Sequence, residues 1–474
     1  MSSRPSSEEK PLDHSGVHTP IEVAEDQISV SPRPWTEKEE ENENGFQSSL
    51  PNNQPKGESI LTRVASRLST RSLPEPPPPP DGGLKAWLQC AMAFLVIFNT
   101  WGFVNSFGTF QTHYSSILPE SASTISWIGS VQTFVLFFLG TFSGRASDAG
   151  FFVPLFAVGS TIQVIGVFMT SLASEYYQLI LAQGICTGIG SGILFTPAIG
   201  VLSTYFSTKR GLAIALATTG NSLGAALYPL MVRQMLPQLG FGWTMRVIGF
   251  LNLACLSVVL ALMRPRLPPR KSGPLIDVTA LKEPEFVLHT LGLSFHMATL
   301  YWSNYYMASY GRQNFGLSYS NSIILLIILN GVGIPARVCA GLMADRFFGV
   351  LNTFIALLIL VCLLLYCWIG VDSKPGLYVF VCFYGIIIAA YQSLLPTSVT
   401  TMIKDLSKTG TRLGMVFSVF SFAALVGPPI GGAIINGNDY KYAQIWAGTS
   451  ALVGTCLVAT ARILRFGWSL KVRC

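Results

Sequence analysis

Twelve apolar stretches, each close to the roughly 20 residues a helix needs to cross a bilayer, run through the chain from Leu84 onward. They fall at 86–108, 125–143, 152–171, 178–202, 212–232 and 244–263, then 287–308, 319–340, 350–371, 376–398, 413–435 and 442–463. Hydrocarbon offers no water to backbone N–H and C=O groups, so a chain with this many such stretches is confined to a helical bundle. Composition agrees. Only 12% of residues are charged, about half the usual share of a soluble domain. Forty-four glycines suit helices that approach one another closely. The expectation is an all-α polytopic membrane protein with twelve transmembrane helices in two pseudo-symmetric six-helix halves, 81–263 and 287–463. A loop at 264–286 joins them, and 464–474 forms a short C-terminal tail.

Residues 1–80 are rich in Ser, Glu and Pro and lack the apolar core of a signal peptide, so they read as a disordered tail and insertion begins at the first stretch. Arg63, Arg67 and Arg71 recur every fourth residue, a basic strip suited to anionic headgroups if helical. Ser66 and Thr70 each follow an Arg by three residues and are candidates for phosphorylation. Eight of the nine cysteines lie in apolar stretches and none forms a CxxC pair or a Cys/His cluster, so no metal or disulfide framework is expected. Nothing in the charge pattern calls for nucleic acid, and no cofactor is implied.

Lys and Arg in the short loops set the orientation. With a cytosolic N-terminus, the inside segments hold seventeen, among them Lys85, Arg145, Lys209, Arg210, Arg264, Arg266, Arg346, Lys404 and Arg412. The outside loops hold Arg233, Arg312, Lys374 and Lys441, with Arg246 at an outer edge. Both termini are therefore expected in the cytosol.

The halves repeat. Gly144-x-x-x-Asp148 returns as Gly341-x-x-x-Asp345, 197 residues later; Pro197 returns as Pro396; and the pair Gly211/Gly224 returns as Gly414/Gly427, offset by 203. Two six-helix repeats with substrate bound between them at mid-depth are a transporter architecture. The Gly-x-x-x-Asp turns place a small residue for close helix approach and an acid that caps the next helix or pairs with an Arg across the halves. Gly427-Pro428-Pro429 removes backbone donors inside a span and reads as a bend or hinge, or as a packing kink.

Asp81-Gly82-Gly83-Leu84-Lys85-Ala86-Trp87 is similar to the Asp-Gly-Gly…Trp signature of the monocarboxylate porter family. Tyr205-Phe206-Ser207-Thr208-Lys209-Arg210-Gly211-Leu212-Ala213, followed by Gly220-Asn221-Ser222-Leu223-Gly224, resembles that family's helix 4–5 signature. The chain thus resembles the major facilitator superfamily and, within it, that family in its fungal form, across 81–463. The resemblance implies a secondary transporter working by alternating access. It also implies that Gly144, Asp148, Lys209, Arg210, Gly341, Asp345 and Arg346 gate the cytoplasmic side. Arg337 matches the position at which animal relatives hold a substrate carboxylate. Gly333 and Thr109 stand where those relatives carry an Asp and a Lys.

Polar and aromatic residues inside spans are the substrate-contact candidates: Asn99, Asn105, Asn221, His296, Trp302, Tyr305, Asn330, Arg337, Tyr391 and Gln392, with Thr187, Ser191 and Tyr384 beside them. Each is alternatively an interhelical hydrogen-bonding group, and Arg337 alternatively snorkels to headgroups. A guanidinium fork matches a planar carboxylate, and His296 suits proton exchange. No Walker-type phosphate loop is present, and the spans lack the convergent side chains of an enzyme site. The expected cargo is an organic anion or hydrophobic small metabolite, with efflux of a fungal secondary metabolite favoured and the plasma membrane as the expected location. Proton-linked import of a monocarboxylate or vitamin is the alternative, followed by a non-transporting sensor with a transporter fold; the vacuolar membrane is the second location. If the charge bias sets the topology, epitope tags at both ends will be reached by antibody only after permeabilisation. Staining of either tag on intact cells would contradict it.

Overall fold

The computed structural model describes residues 79–207, 209–267, 276–404, 409–435 and 439–468; the side chains of Arg210 and Asp345 also fall outside the description. The basic strip at Arg63–Arg71 and the phosphorylation candidates Ser66 and Thr70 lie outside the described residues. Twelve long helices fill the described residues. In the first half they are α1 (Gly83–Ile117), α2 (Ala122–Ala146), α3 (Phe152–Thr170) and α4 (Tyr176–Tyr205). One helical run, Arg210–Leu262, then turns at Gly240 (φ 73°) and so divides into α5 (210–239) and α6 (241–262). The second half holds α7 (Pro284–Phe315), α8 (Tyr319–Phe348), α9 (Val350–Cys367), α10 (Lys374–Thr401), α11 (Thr409–Ile434) and α12 (Lys441–Phe466).

Nine helical runs among the described residues are long and apolar enough to cross a membrane. Two of them contain two crossings each, because α2–α3 and α5–α6 turn at Gly150 and Gly240. The remaining helix, α7, is long enough at 32 residues but too polar to qualify. Protein covers its polar and aromatic residues: Tyr301, Trp302, Tyr305, Tyr306 and His296 are all buried, while Leu291 and Phe295 are exposed. Other helices likewise expose apolar side chains, with Leu363 of α9, Phe383 of α10 and Leu452 of α12 exposed.

The repeat is visible in local geometry. Ser121 caps α2, its Oγ accepting from Thr124 N at 3.1 Å, and Ser318 caps α8 through Asn321 N at 3.2 Å. Helices α2 and α8 both end in a π turn, Ser147–Phe151 and Ala344–Phe348. A left-handed glycine accompanies each: Gly150 (φ 97°) within the first turn and Gly349 (φ 82°) just after the second. A side chain at either position would be strained, so the pair fixes two equivalent reversals.

Helices within a half meet at glycine. A Cβ on Gly102 of α1 would lie 2.6 Å from Gly224 Cα of α5, and one on Gly427 of α11 would lie 2.5 Å from Ala298 Cα of α7. Backbone on backbone is the closest packing available in lipid. Helix α11 runs unbroken through Pro428 and Pro429, both buried. The Gly-Pro-Pro segment, read as a hinge or a packing kink, lies within a continuous helix whose Gly427 packs on Ala298.

The face that carries Gly83 and Phe466, the terminal face, also holds an ionic cluster. Arg412, at the start of α11 and 2% exposed, donates to Asp277 Oδ2 at 2.9 Å and to Glu283 Oε1 and Oε2 at 2.7 and 3.0 Å. The linker is thereby clamped to the second half. The Arg412 guanidinium holds the Glu283 carboxyl below its usual range. Replacing Gly427 by Val will lose most folded protein, since overpacking costs about 1–3 kcal/mol or more, whereas Gly341→Ala, with no neighbour within 4 Å, will be tolerated. Size-exclusion yield and melting temperature read both.

Candidate functional site

Helix α8 brings its one buried cation to the junction of the two halves. Arg337 is 5% exposed, so its guanidinium does not reach solvent or headgroups. Its Nε donates to Ser222 Oγ of α5 at 3.0 Å, and its Nη2 donates to Gln392 Oε1 of α10 at 2.8 Å. One side chain therefore ties the first half to the second. No carboxylate lies in its hydrogen-bonding shell among the described residues. A buried charge without a counter-ion costs several kcal/mol unless a partner is supplied.

The polar path continues beyond Ser222. The adjoining Asn221 accepts from Asn105 Nδ2 of α1 at 2.8 Å. Asn105–Asn221 and Ser222–Arg337–Gln392 together form a belt from α1 through α5 and α8 to α10. Gly333 sits one turn before Arg337, and a Cβ there would meet Ala389 Cβ at 2.6 Å, with Ser222 Oγ at 3.6 Å. Helix α8 approaches α10 too closely at this point for the Asp that the resembling family carries. Thr109, the other departure, is fully buried and its hydroxyl lacks a partner among the described residues. Asn105 Oδ1, Ser130 Oγ, Asn304 Oδ1 and Tyr391 OH share that condition. Unpaired buried polar atoms of this kind require an explanation, and these lie on α1, α2, α7 and α10.

The other sequence candidates separate by location. Tyr305 belongs to the half interface: its hydroxyl is 3.1 Å from Thr133 Oγ1 of α2, and its ring packs on Phe107 of α1 at 4.7 Å. Asn99 belongs to the first half, near Tyr228 OH at 3.2 Å and donating to Leu95 O at 2.7 Å. His296 belongs to the second half, where its Nε2 pairs with Thr455 Oγ1 of α12 at 3.0 Å. Trp302 lies under Gly431 and among Trp368 and Trp446. Asn330 donates to Leu326 O within its own helix at 2.9 Å. The Tyr391 ring stacks on Phe354 at 5.5 Å, beside His296.

Of the gating candidates, Gly144 is a close-approach site, since a Cβ would meet Thr196 Cγ2 of α4 at 2.8 Å. Gly341 has open space, so close approach is confined to the first copy of the turn. Asp148, Lys209 and Arg346 are exposed on the terminal face, and the side chains of Arg210 and Asp345 lie outside the described residues. The two signature segments touch: Asp81 N donates to Tyr205 O at 3.1 Å, the Asp81 carboxylate accepts from Ser207, and Trp87 packs on Phe206 at 5.1 Å.

The face opposite the termini, the far face, is closed by cross-half bonds. Ser123 Oγ of α2 donates to Pro429 O of α11 at 2.7 Å, Tyr306 OH of α7 donates to Ala122 O at 2.9 Å, and Thr112 and Ser309 hydroxyls pair at 3.3 Å. Toward the terminal face α2 and α11 also meet, Thr141 Oγ1 donating to Gly414 O at 3.1 Å, and two bundles joined by such breakable bonds around a polar, partly unsatisfied belt can pass a solute by rocking. The sequence pattern that describes the Major Facilitator Superfamily matches residues 90–405.

The chain belongs to the Major Facilitator Superfamily.

An MFS-type transporter of Gibberella zeae is 44% identical over 390 residues, 81% of this chain and 88% of its own. The Aspyridones efflux protein apdF of Emericella nidulans is 32% identical, over 83% of this chain and 81% of its own. The nucleoside transporter NupG shares the fold, with TM-score 0.62 at 14% identity, over 78% of this chain and 99% of that one. An occupied, inward-facing bacterial Spinster homologue shares it at TM-score 0.59 and 15% identity, over 80% of this chain and 98% of that one. This superfamily member is an integral membrane transporter of small molecules, not an enzyme.

Ser222 and Thr133 were not among the sequence candidates. Ser222 adjoins Asn221 inside a quoted motif, but nothing in the spacing points it at Arg337; Thr133 carries no signal. Removing two far-face hydroxyls together, Ser123→Ala with Tyr306→Phe, deletes two bonds of about 1 kcal/mol each. The transporter will open on that face roughly thirtyfold more often if the two losses add, read as faster thiol labelling of a cysteine placed at Thr109.

Proposed function

We propose that this transporter moves an organic anion, with Arg337 as the group that receives the acidic moiety, and that its physiological direction is efflux of a fungal secondary metabolite. The observation that carries the reading is a buried guanidinium shared by both halves and lacking a carboxylate partner among the described residues. An acidic substrate supplies the missing counter-charge and the fork gives it orientation. Because Ser222 and Gln392 belong to different halves, a substrate competing for the guanidinium alters the bonds that join them, which links binding to rocking. Unpaired hydroxyls and amides on α1, α2, α7 and α10 suit a cargo with several polar groups, larger than a simple monocarboxylate. Efflux is supported by the name of the apdF relative.

Within the superfamily we place the chain in the fungal branch of the monocarboxylate porter family. The support is the two signature segments and the contact between Asp81 and Ser207. The plasma membrane with cytosolic termini follows from the charge bias and the export reading. Proton coupling through an acid at Gly333 is disfavoured by the 2.6 Å approach to Ala389.

Arg337→Lys keeps the charge and loses the fork. Transport will fall roughly 10- to 100-fold, the loss expected for a charge-assisted hydrogen bond, with surface expression intact. Unchanged flux in proteoliposomes would remove Arg337 from the site. Deletion of the gene will make an acidic metabolite accumulate in cells and fall in the medium, whereas the reverse change would mark an importer.

A further inference from the structure

Among the Lys and Arg residues of the far face are Arg233, Arg246, Arg312, Lys374 and Lys441. Two of them meet at one place, the first turn of α8. Arg233 of α5 donates from Nε to Ser320 Oγ at 2.7 Å. Arg312, near the end of α7, lies over the Tyr319 ring with its Cζ 5.8 Å from the centroid, and its Nη1 donates to Thr112 O of α1 at 3.5 Å. His113 of α1 joins them. Its ring meets that of Tyr319 at 6.3 Å and stacks on Phe241 of α6 at 5.2 Å. Its Nε2 is buried and has no hydrogen-bond partner among the described residues.

No acid balances this group among the described residues. Neither arginine forms an ion pair there, and both donate to neutral oxygens. The first turn of α8 carries no acidic residue, so the positive end of its helix dipole adds to the two guanidinium charges. The charges come from opposite sides of the junction. Arg233 and His113 ride on the first half, whereas Arg312 and the start of α8 ride on the second. Closing the far face therefore gathers like charges, which opposes closure unless an anion sits among them. Arg233, Arg312, Tyr319 and Ser320 are all half-buried, within reach of the far-face medium.

We propose that the closed far face binds a small monovalent anion, a halide or a short carboxylate, beside the start of α8 and between Arg233 and Arg312. The donors are the guanidinium N–H groups that Ser320 and Thr112 leave unused, with His113 Nε2 in its N–H tautomer. An anion shared by Arg233 and Arg312 bridges the two halves. It acts together with the bonds from Ser123 to Pro429 and from Tyr306 to Ala122, and so holds this face shut. The site is separate from Arg337, and the proposal does not rest on that residue's part in transport.

The test uses the full-length protein in detergent micelles, with Thr109→Cys as the reporter of opening and sodium chloride or sodium acetate as the probe. Each probe is exchanged against sodium gluconate, a bulkier anion, at constant ionic strength, which keeps screening unchanged. Thiol labelling, corrected for the native cysteines, will slow saturably, by about fivefold or more, and the melting temperature will rise. Arg233→Gln and Arg312→Gln will each weaken the anion effect, Arg312→Lys will keep part of it, and Arg337→Gln will leave it intact. A response to chloride marks an inorganic ion of the medium as a ligand; a response to acetate alone marks a carboxylate, the group a released cargo carries. Melting temperatures identify any variant that fails to fold, and the remaining variants then decide. Labelling indifferent to both anions, an effect undiminished in Arg233→Gln or in Arg312→Gln, or an effect lost in Arg337→Gln would each overturn the proposal.

Discussion

Helices in a bilayer gain nothing by hiding apolar surface from lipid that is equally apolar, so their association rests on how closely their backbones fit. Gly102 against Gly224 and Gly427 against Ala298 bring α1 to α5 and α7 to α11 with no room for a Cβ between them. Gly292 and Gly454 do the same for α7 and α12, where a Cβ on one would meet the carbonyl oxygen of the other at 2.7 Å. These contacts make each half a stiff body. Stiff halves can rock as units, and residues at their junction then feel the motion as bonds made or lost.

Arg337 occupies that junction. Its bonds to Ser222 and Gln392 are to neutral groups, which steady a guanidinium without neutralising it. A permanent carboxylate partner would satisfy the cation and leave it little reason to bind a substrate. The close approach of Gly333 to Ala389 excludes such a partner at the position where the resembling family places one. The same packing that joins α8 to α10 thus keeps the charge available. Charged residues elsewhere behave differently. Arg412 is equally buried, yet two carboxylates of the linker surround it, so it fastens the linker to the second half.

Helix α7 shows how polarity can be misleading when taken one segment at a time. Its hydropathy falls below that of the other helices because of residues such as His296, Trp302, Tyr305 and Tyr306, and all four are buried in protein. The helix contacts both halves: Tyr305 reaches Thr133 and Tyr306 reaches Ala122, while His296 and Trp302 turn inward to their own half. His296, Trp302 and Tyr305, equivalent candidates in sequence, therefore divide between gate and core, and Tyr306 joins the gate.

The helical bundle, its repeats and a transporter fold were legible in the sequence, because hydrocarbon permits few solutions and leaves a periodic apolar record of them. The Gly-x-x-x-Asp repeat and the Gly224/Gly427 offset survive as matching π turns and matching glycine contacts. Position in the chain also singled out Arg337, since a charge within a span is costly. What the sequence does not encode locally is the partner. Whether Arg337 snorkels or is buried, whether Gly341 touches a neighbour as Gly144 does, and whether His296 faces the path or Thr455 depend on residues some fifty to 159 positions away. Those distances are settled only when twelve helices pack, and it was the packing of α5, α8 and α10 that set Ser222 and Gln392 about one guanidinium.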